Sequence, residues 1–200
     1  PTMEGAETME LGYQKAYAEC QRRIRCHWYF MQKNFPEFQN YKISWVAPFL
    51  GIRETYRTLC EYMLTENDIL QGLGQQKDAD IITIADHALD RHGEDGGCPD
   101  ITEPYGIPFR CLIPKGFKNL LIACRGAGFS SIAASSARLS RTMMQLGQAA
   151  GTAVALAKEQ KTDLPSVDSS HLRKNLIQQH VQLDFPLTQE LRSYLIANDS

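Results

Sequence analysis

Residues 119–124, Asn-Leu-Leu-Ile-Ala-Cys, form an apolar run of strand length with no polar alternation. Such a run suits a strand covered on both faces, as in a parallel sheet layered between helices. Arg125-Gly126-Ala127-Gly128 follows as a flexible turn, then a Ser/Ala-rich segment at 130–137, then a helix expected over about 140–160. Strand, turn and helix in this order make an α/β unit whose helix N-terminus can receive negative charge. Leu139, Met143, Leu146, Ala150, Val154 and Ala157 mark one face of that helix at steps of three and four. Its middle holds Gly147-Gln148-Ala149-Ala150-Gly151. Glycine inside a helix costs about 1 kcal/mol relative to alanine. Two glycines four residues apart therefore point to a close approach to the backbone. Tight packing of helix on sheet and a ligand at the helix N-terminus both account for it.

The remaining pattern is mixed. Residues 9–34 read as one long helix, with apolar residues at Tyr13, Ala16, Tyr17, Cys20, Ile24, Trp28 and Met31, stopped by Pro36. Arg22, Arg23 and Arg25 fall on its solvated side. Residues 42–47 are a short β-type run closed by Pro48, and 58–64 are a second apolar run. Residues 65–68 supply a helix start with an acidic first turn. Strands are expected at 80–85 and 107–113, with Pro108 placing the second at an edge or a strand start. Between them lies a Gly- and Asp-rich loop at 91–100. Asp168 caps a helix of about 171–180, and 188–196 form a last amphipathic stretch.

Composition narrows the function classes. The 200 residues carry 21 Lys+Arg against 23 Asp+Glu, and this balance lacks the basic footprint of a nucleic-acid binder. With 43% hydrophobic residues the chain is not compositionally disordered. No apolar run reaches the roughly 18 residues of a membrane span, and residues 1–5 carry no basic segment leading into an apolar one. The cysteines at 20, 26, 60, 98, 111 and 124 form no C-x2-C pair, and Cys26-His27 has no partner at zinc-ligand spacing. They read as reduced, small hydrophobes, which favours a cytoplasmic setting and assigns no metal site.

Gly126-Ala127-Gly128 begins a G-x-G, but Ser131 stands where a phosphate-binding fingerprint has its third glycine. The serines at 130, 131, 135 and 136 lack the G-x-S-x-G setting of a nucleophile elbow. His87 and His92 flank Asp90, either as a base or ligand pair or as a solvated surface pair. Arg125 sits where the 119–124 strand ends, the usual ligand side of an open α/β sheet. Arg138 and Arg141 flank the helix start. Three guanidiniums there suit a bound anion such as pyrophosphate, and equally suit an exposed loop.

Three blocks, taken together, carry a resemblance. Leu50-Gly51-Ile52-Arg53-Glu54-Thr55-Tyr56-Arg57 resembles the "LGIRETRR" block of a family of FAD-dependent oxidoreductases. Residues 104–115, PYGIPFRCLIPK, are similar to that family's "PYGIPYRCLIPK". Residues 119–153 resemble its closing segment, a "NLLVAGR" strand followed by a "LGQAAGTA" helix. The match runs from about Phe49 to Lys158, and the family is more distantly similar to the succinate dehydrogenase and fumarate reductase flavoproteins.

The resemblance implies an α/β (α+β) fold forming the C-terminal part of a two-domain flavoprotein. It would comprise a leading helix (1–36), a substrate-domain portion (37–115), the closing unit of the FAD domain (116–162) and C-terminal helices (163–200). FAD is the implied cofactor, with hydride transfer between it and a small organic substrate. The implied partner is an N-terminal Rossmann half, in the same chain or another, and expression without that half would give poor solubility. Arg125, Gly126, Arg138, Gly147, Gln148 and Ala149 would lie on the cofactor side, and Arg53, Glu54 and Arg57 on the substrate side. The resemblance assigns no role to Tyr105 or Arg110 and names no catalytic residue. Cys124 stands in place of the family's glycine, Arg141 in place of a proline, and residues 132–136 in place of a histidine-containing segment. The alternative reading is a non-catalytic, degenerate flavoprotein module or a fragment that depends on a partner.

Overall fold

The structure is a computed structural model that describes residues 3–90, 97 and 100–198. The 91–100 loop, with His92 and Cys98, therefore lies almost wholly outside the described residues. The chain divides after Thr55 into two compact units.

The first unit is helical. Helix α1 (Gly5–Leu11) and helix α2 (Tyr13–Asn34) stand where the sequence suggested a single helix. The break is Gly12, whose φ of 73° leaves the helical region in a way only glycine makes cheap. Tyr13 and Tyr17 stack, and Phe35 sits edge-on to both Phe30 and Phe38. Glu19 receives both Arg22 and Arg23, which hold its carboxyl down to about 2. Residues 42–47 form no strand. They run beside α2, held by Tyr17 Oη donating to Ala47 O and Gln32 Nε2 donating to Tyr41 O. Trp45, Phe49 and Tyr29 stay exposed, and Ala16 is the buried residue of α2.

The second unit is a mixed α/β fold around a small sheet. Helix α3 (Glu66–Gln71) opens with a capping box in which Thr65 and Asp68 bond each other's backbone N–H groups. Strand β1 (Ile81–Ala85) pairs antiparallel with β2 (Tyr105–Pro108), Thr83 opposite Ile107 and Ala85 opposite Tyr105, with an irregularity between Ile81 and Thr83. Helices α4 (Ser131–Ala137), α5 (Ser140–Gln160), α6 (Ser169–Gln178) and α7 (Gln189–Asn198) follow. Tyr105, Phe129, Leu64, Ile82, Ile107, Leu112, Leu146, Leu172 and Leu176 fill the core among these elements.

Two strand expectations are corrected. The second strand begins at Tyr105 and ends at Pro108, giving way to a 3₁₀ turn at Phe109–Leu112. Asp80 causes the turn: its carbonyl accepts from Phe109 N and its carboxylate from Arg110 N, so the chain curls around one residue. Residues 119–124 are not a strand, and among the described residues they join no sheet. Leu120 is 40% exposed, while Ile122 N donates to Leu112 O. The 58–64 run takes the place of the expected neighbour. Its backbone bonds Ile113 and Lys115 on one side and Gly126, Gly128 and Ser130 on the other.

Gly128 is where these runs meet. A Cβ there would lie 2.3 Å from Tyr62 O and 3.0 Å from Cys111 O, both backbone atoms. Gly147 and Gly151 are the opposite case, with nothing within 4 Å of where a Cβ would stand. The close approach suggested by these glycines is therefore not made by the described chain. Gly128→Ala should lower unfolding free energy by about 2–3 kcal/mol, whereas Gly147→Ala should raise it by about 1 kcal/mol. Urea denaturation of the two variants checks both signs.

Candidate functional site

The C-terminal end of β1 meets the junction of α4 and α5, and polar side chains gather there. Helix α4 is built from small residues, with Ser130 as its cap accepting from Ala133 N, and it buries Ala133, Ala134, Ser135, Ser136 and Ala137. Because those side chains are small, the helix sits close to the sheet. Tyr105 Oη lies 2.7 Å from Ser136 Oγ, and Ser136 Oγ donates to His87 O. The serine's one proton is thereby committed to His87, so Tyr105 donates to Ser136. Burial pushes the Tyr105 phenol well above its ordinary range. Thr83, fully buried in the middle of β1, bonds Gln145 of α5.

Around this buried chain stand two ion pairs. Arg138 Nη2 meets Asp90 Oδ2 at 2.7 Å with its side chain only 12% exposed, and Arg141 pairs with Asp86 in the open. The guanidiniums expected to lend the α5 N-terminus positive charge are thus each matched by an aspartate following β1. Neither aspartate was singled out for this by the sequence, because the pairs span 48 and 55 residues.

The other residues singled out by the sequence are spread over separate places. Arg125 is exposed at the turn before α4, and Gly126 O beside it accepts from Thr58 N at 2.8 Å. Gly147 and Gln148 stand on the exposed side of α5, where Gln148 Nε2 donates to Gln179. Ala149 turns the other way and is completely buried in the core. Arg53 is exposed and Glu54 half-buried at the end of the first unit, and Arg57 is exposed at the start of the second. His87 serves the site through its carbonyl, while its Nδ1 lies 2.7 Å from Ala88 O.

The block at 104–115 acquires roles that the sequence did not assign. Arg110 grips Asp80 through Nε and Nη2, reaches Asp78 at 2.5 Å, and lies 5.0 Å over the ring of Tyr62. Tyr62 Oη in turn donates to Asp68 of the α3 capping box. Burial and then Asp68 push the Tyr62 phenol up, and Asp80 holds the Arg110 guanidinium firmly protonated. Behind them burial raises the Cys60 thiol from 9.0 to about 11, and raises Cys111 further. Cys20, Cys26, Cys60, Cys111 and Cys124 are all free.

The family comparison agrees with the block resemblance. The model of the FAD dependent oxidoreductase family matches residues 2–176, and the chain belongs to that family. No curated protein and no solved structure matches it. Among the described residues no helix is long and apolar enough to cross a membrane, and no three metal-ligating side chains converge.

The residues on the implied cofactor side do not all converge on one place among the described residues. Gly147 and Gly151 leave open space beside exposed Met144, Gln148 and Val154, Ala149 faces away from it, and Arg138 is already paired.

Two outcomes follow. Tyr105→Phe removes one donor and should cost about 1 kcal/mol, whereas Ser136→Ala strands both the phenol and the half-buried carbonyl of His87 and should cost about 1–3 kcal/mol; chemical denaturation ranks them. The second concerns alkaline pH. The folded state keeps the Cys60 and Cys111 thiols protonated where the unfolded chain ionises. Above pH 9 the folded state holds more protons, so stability is complete below that pH and is lost as pH rises through about 11. The melting temperature should fall across this window. A Cys60→Ala/Cys111→Ala variant should melt lower at pH 8 yet fall less steeply.

Proposed function

We propose that this chain is the C-terminal part of a FAD-dependent oxidoreductase that transfers hydride between a small organic substrate and the flavin. The family match over 2–176 carries the reading. It is supported by the bare glycine side of α5, whose helix-weakening residues have no use within the described chain. FAD, when bound, supplies the hydride chemistry, and the protein supplies position and electrostatics. In this reading Gly147 and Gln148 let a flat ring system lie along α5, and Arg125 and Gly126 line the turn beside it. Arg138 orients the helix entrance through Asp90, and buried Ala149 holds the helix against the core. Arg53, Glu54 and Arg57 belong to the substrate side, and their arginines suit an anionic or carbonyl-bearing substrate. An N-terminal Rossmann half, from the same chain or another, completes the cofactor site.

A visible spectrum of the longest natural chain containing this segment, purified without added cofactor, tests the reading. Flavin bands bleached by dithionite are the expected result. Gly147→Leu should reduce retained FAD by about tenfold or more, equivalent to at least about 1.4 kcal/mol of binding, without lowering the melting temperature of the apoprotein. The second reading is a partner-dependent module that has lost the cofactor. It is favoured by residues 119–124, which join no sheet among the described residues, and by Met144 and Val154, which are exposed on α5. A colourless protein that also fails to take up added FAD would select it.

A further inference from the structure

The second unit contains a cavity of about 380 Å³ away from the α4–α5 junction. It opens between the loop joining α3 to β1, helix α6 and the segment after α6. Its volume lies within the range of small-molecule sites, which begins near 300 Å³. Leu73, Ile81 and Leu183 give it aliphatic walls and Phe185 an aromatic one.

Its charged groups are arranged unusually. Arg173 of α6 is fixed by a hydrogen bond from Nη1 to Ile81 O, and among the described residues its guanidinium forms no ion pair. Glu103 and Asp184 line the same cavity, and their carboxylates accept no hydrogen bond among the described residues. Asp78, the third acid, is held by Arg110, which it shares with Asp80. Glu103 reaches its position because Gly72 and Gly74 lack side chains. A Cβ at Gly72 would lie 2.2 Å from Glu103 Oε1, and Gly72 keeps a φ of 71°. One cation and two carboxylates thus face one cavity without pairing to one another. The floor is stiffened by Gln76, whose side chain both donates to Gly106 O and accepts from Gly106 N.

We propose that this cavity binds a small cationic amino acid, with one carboxylate and two ammonium groups on an aliphatic stem. The ligand's carboxylate meets the donors that Arg173 has left over, a planar fork suited to that group. Its two ammonium groups meet Glu103 and Asp184, one of them beside the ring of Phe185. Its stem lies on Leu73, Ile81 and Leu183. The ligand's net charge of plus one is opposite to the minus one that Arg173, Glu103 and Asp184 carry together. A simple carboxylate would leave both acids unmatched, and a diamine would leave Arg173 unmatched.

Isothermal titration of the full chain with L-lysine tests this, with hexanoate and cadaverine as the two half-ligands. Saturable one-to-one binding of L-lysine is expected, at least about tenfold tighter than either half-ligand. Arg173→Gln and Asp184→Asn should each weaken it by about tenfold or more. Asp184 is exposed and its carboxylate carries no bond among the described residues, so Asp184→Asn remains a clean test of the cavity even where Arg173→Gln perturbs α6. No saturable heat or NMR shift with 10 mM L-lysine overturns the proposal, as does equal binding of either half-ligand or undiminished binding by Asp184→Asn. None of these measurements requires flavin, so the result stands apart from the oxidoreductase reading.

Discussion

The grip of Arg110 on Asp80 is the contact on which the second unit depends. Asp80 precedes β1 and Arg110 follows β2, so their paired bonds close the sheet at the end opposite the polar cluster. The same carboxylate takes Arg110 N, which turns the chain into the 3₁₀ segment and aims Cys111 and Leu112 inward. The guanidinium then lies over Tyr62, which holds Asp68, which caps α3. A helix start, both strands and a turn are thus referred to one planar cation. Its side chain is 43% exposed against 11% for Asp80, so its worth lies more in fixed geometry than in Coulomb energy.

That geometry passes through the sheet to the other end. Register places Tyr105 opposite Ala85, and from there its phenol reaches Ser136 and, through it, the carbonyl of His87. Only a helix of small residues could come near enough, which explains the Ala and Ser content of 131–137. Those residues offer no apolar stripe, so the segment gave no periodic signal and was legible only as Ser/Ala-rich. The extent of helix α5 was legible almost to the residue, but its buried face was not: of the six positions marked by periodicity only Leu146 and Ala157 are buried, Val154 is exposed, and Thr142, Ala149, Ala153 and Leu156 complete the core side. Helix α6 and the Thr65 start of α3 were legible from their caps.

What escaped the sequence was whatever depends on distant partners. Residues 119–124 have the composition of a buried strand, but composition cannot supply a neighbour. The backbone bonds that would have flanked them run instead to 58–64. Residues 42–47 form no strand either, and the bonds from α2 side chains fall at the edges of the run, on Tyr41 O and Ala47 O. The arginines at 138 and 141 were legible as charges near a helix start, while the aspartates that neutralise them lie some fifty residues away. Local pattern therefore located the elements, and long-range pairing decided what their charges do.

The contrast between Gly128 and Gly147 bears on function. At Gly128 the chain needs the missing side chain, because backbone carbonyls crowd it from both sides. At Gly147 and Gly151 nothing in the described chain needs it, yet both weaken a helix that otherwise anchors the core. Ala149 and Ala153 face the core and account for the tight packing on that side. The glycines face the other way, next to exposed Met144. On that exposed side the two glycines leave gaps among Met144, Gln148 and Val154 that the described chain does not fill. The proposed flavin reading gives those gaps an occupant, whereas packing within the described chain gives them none.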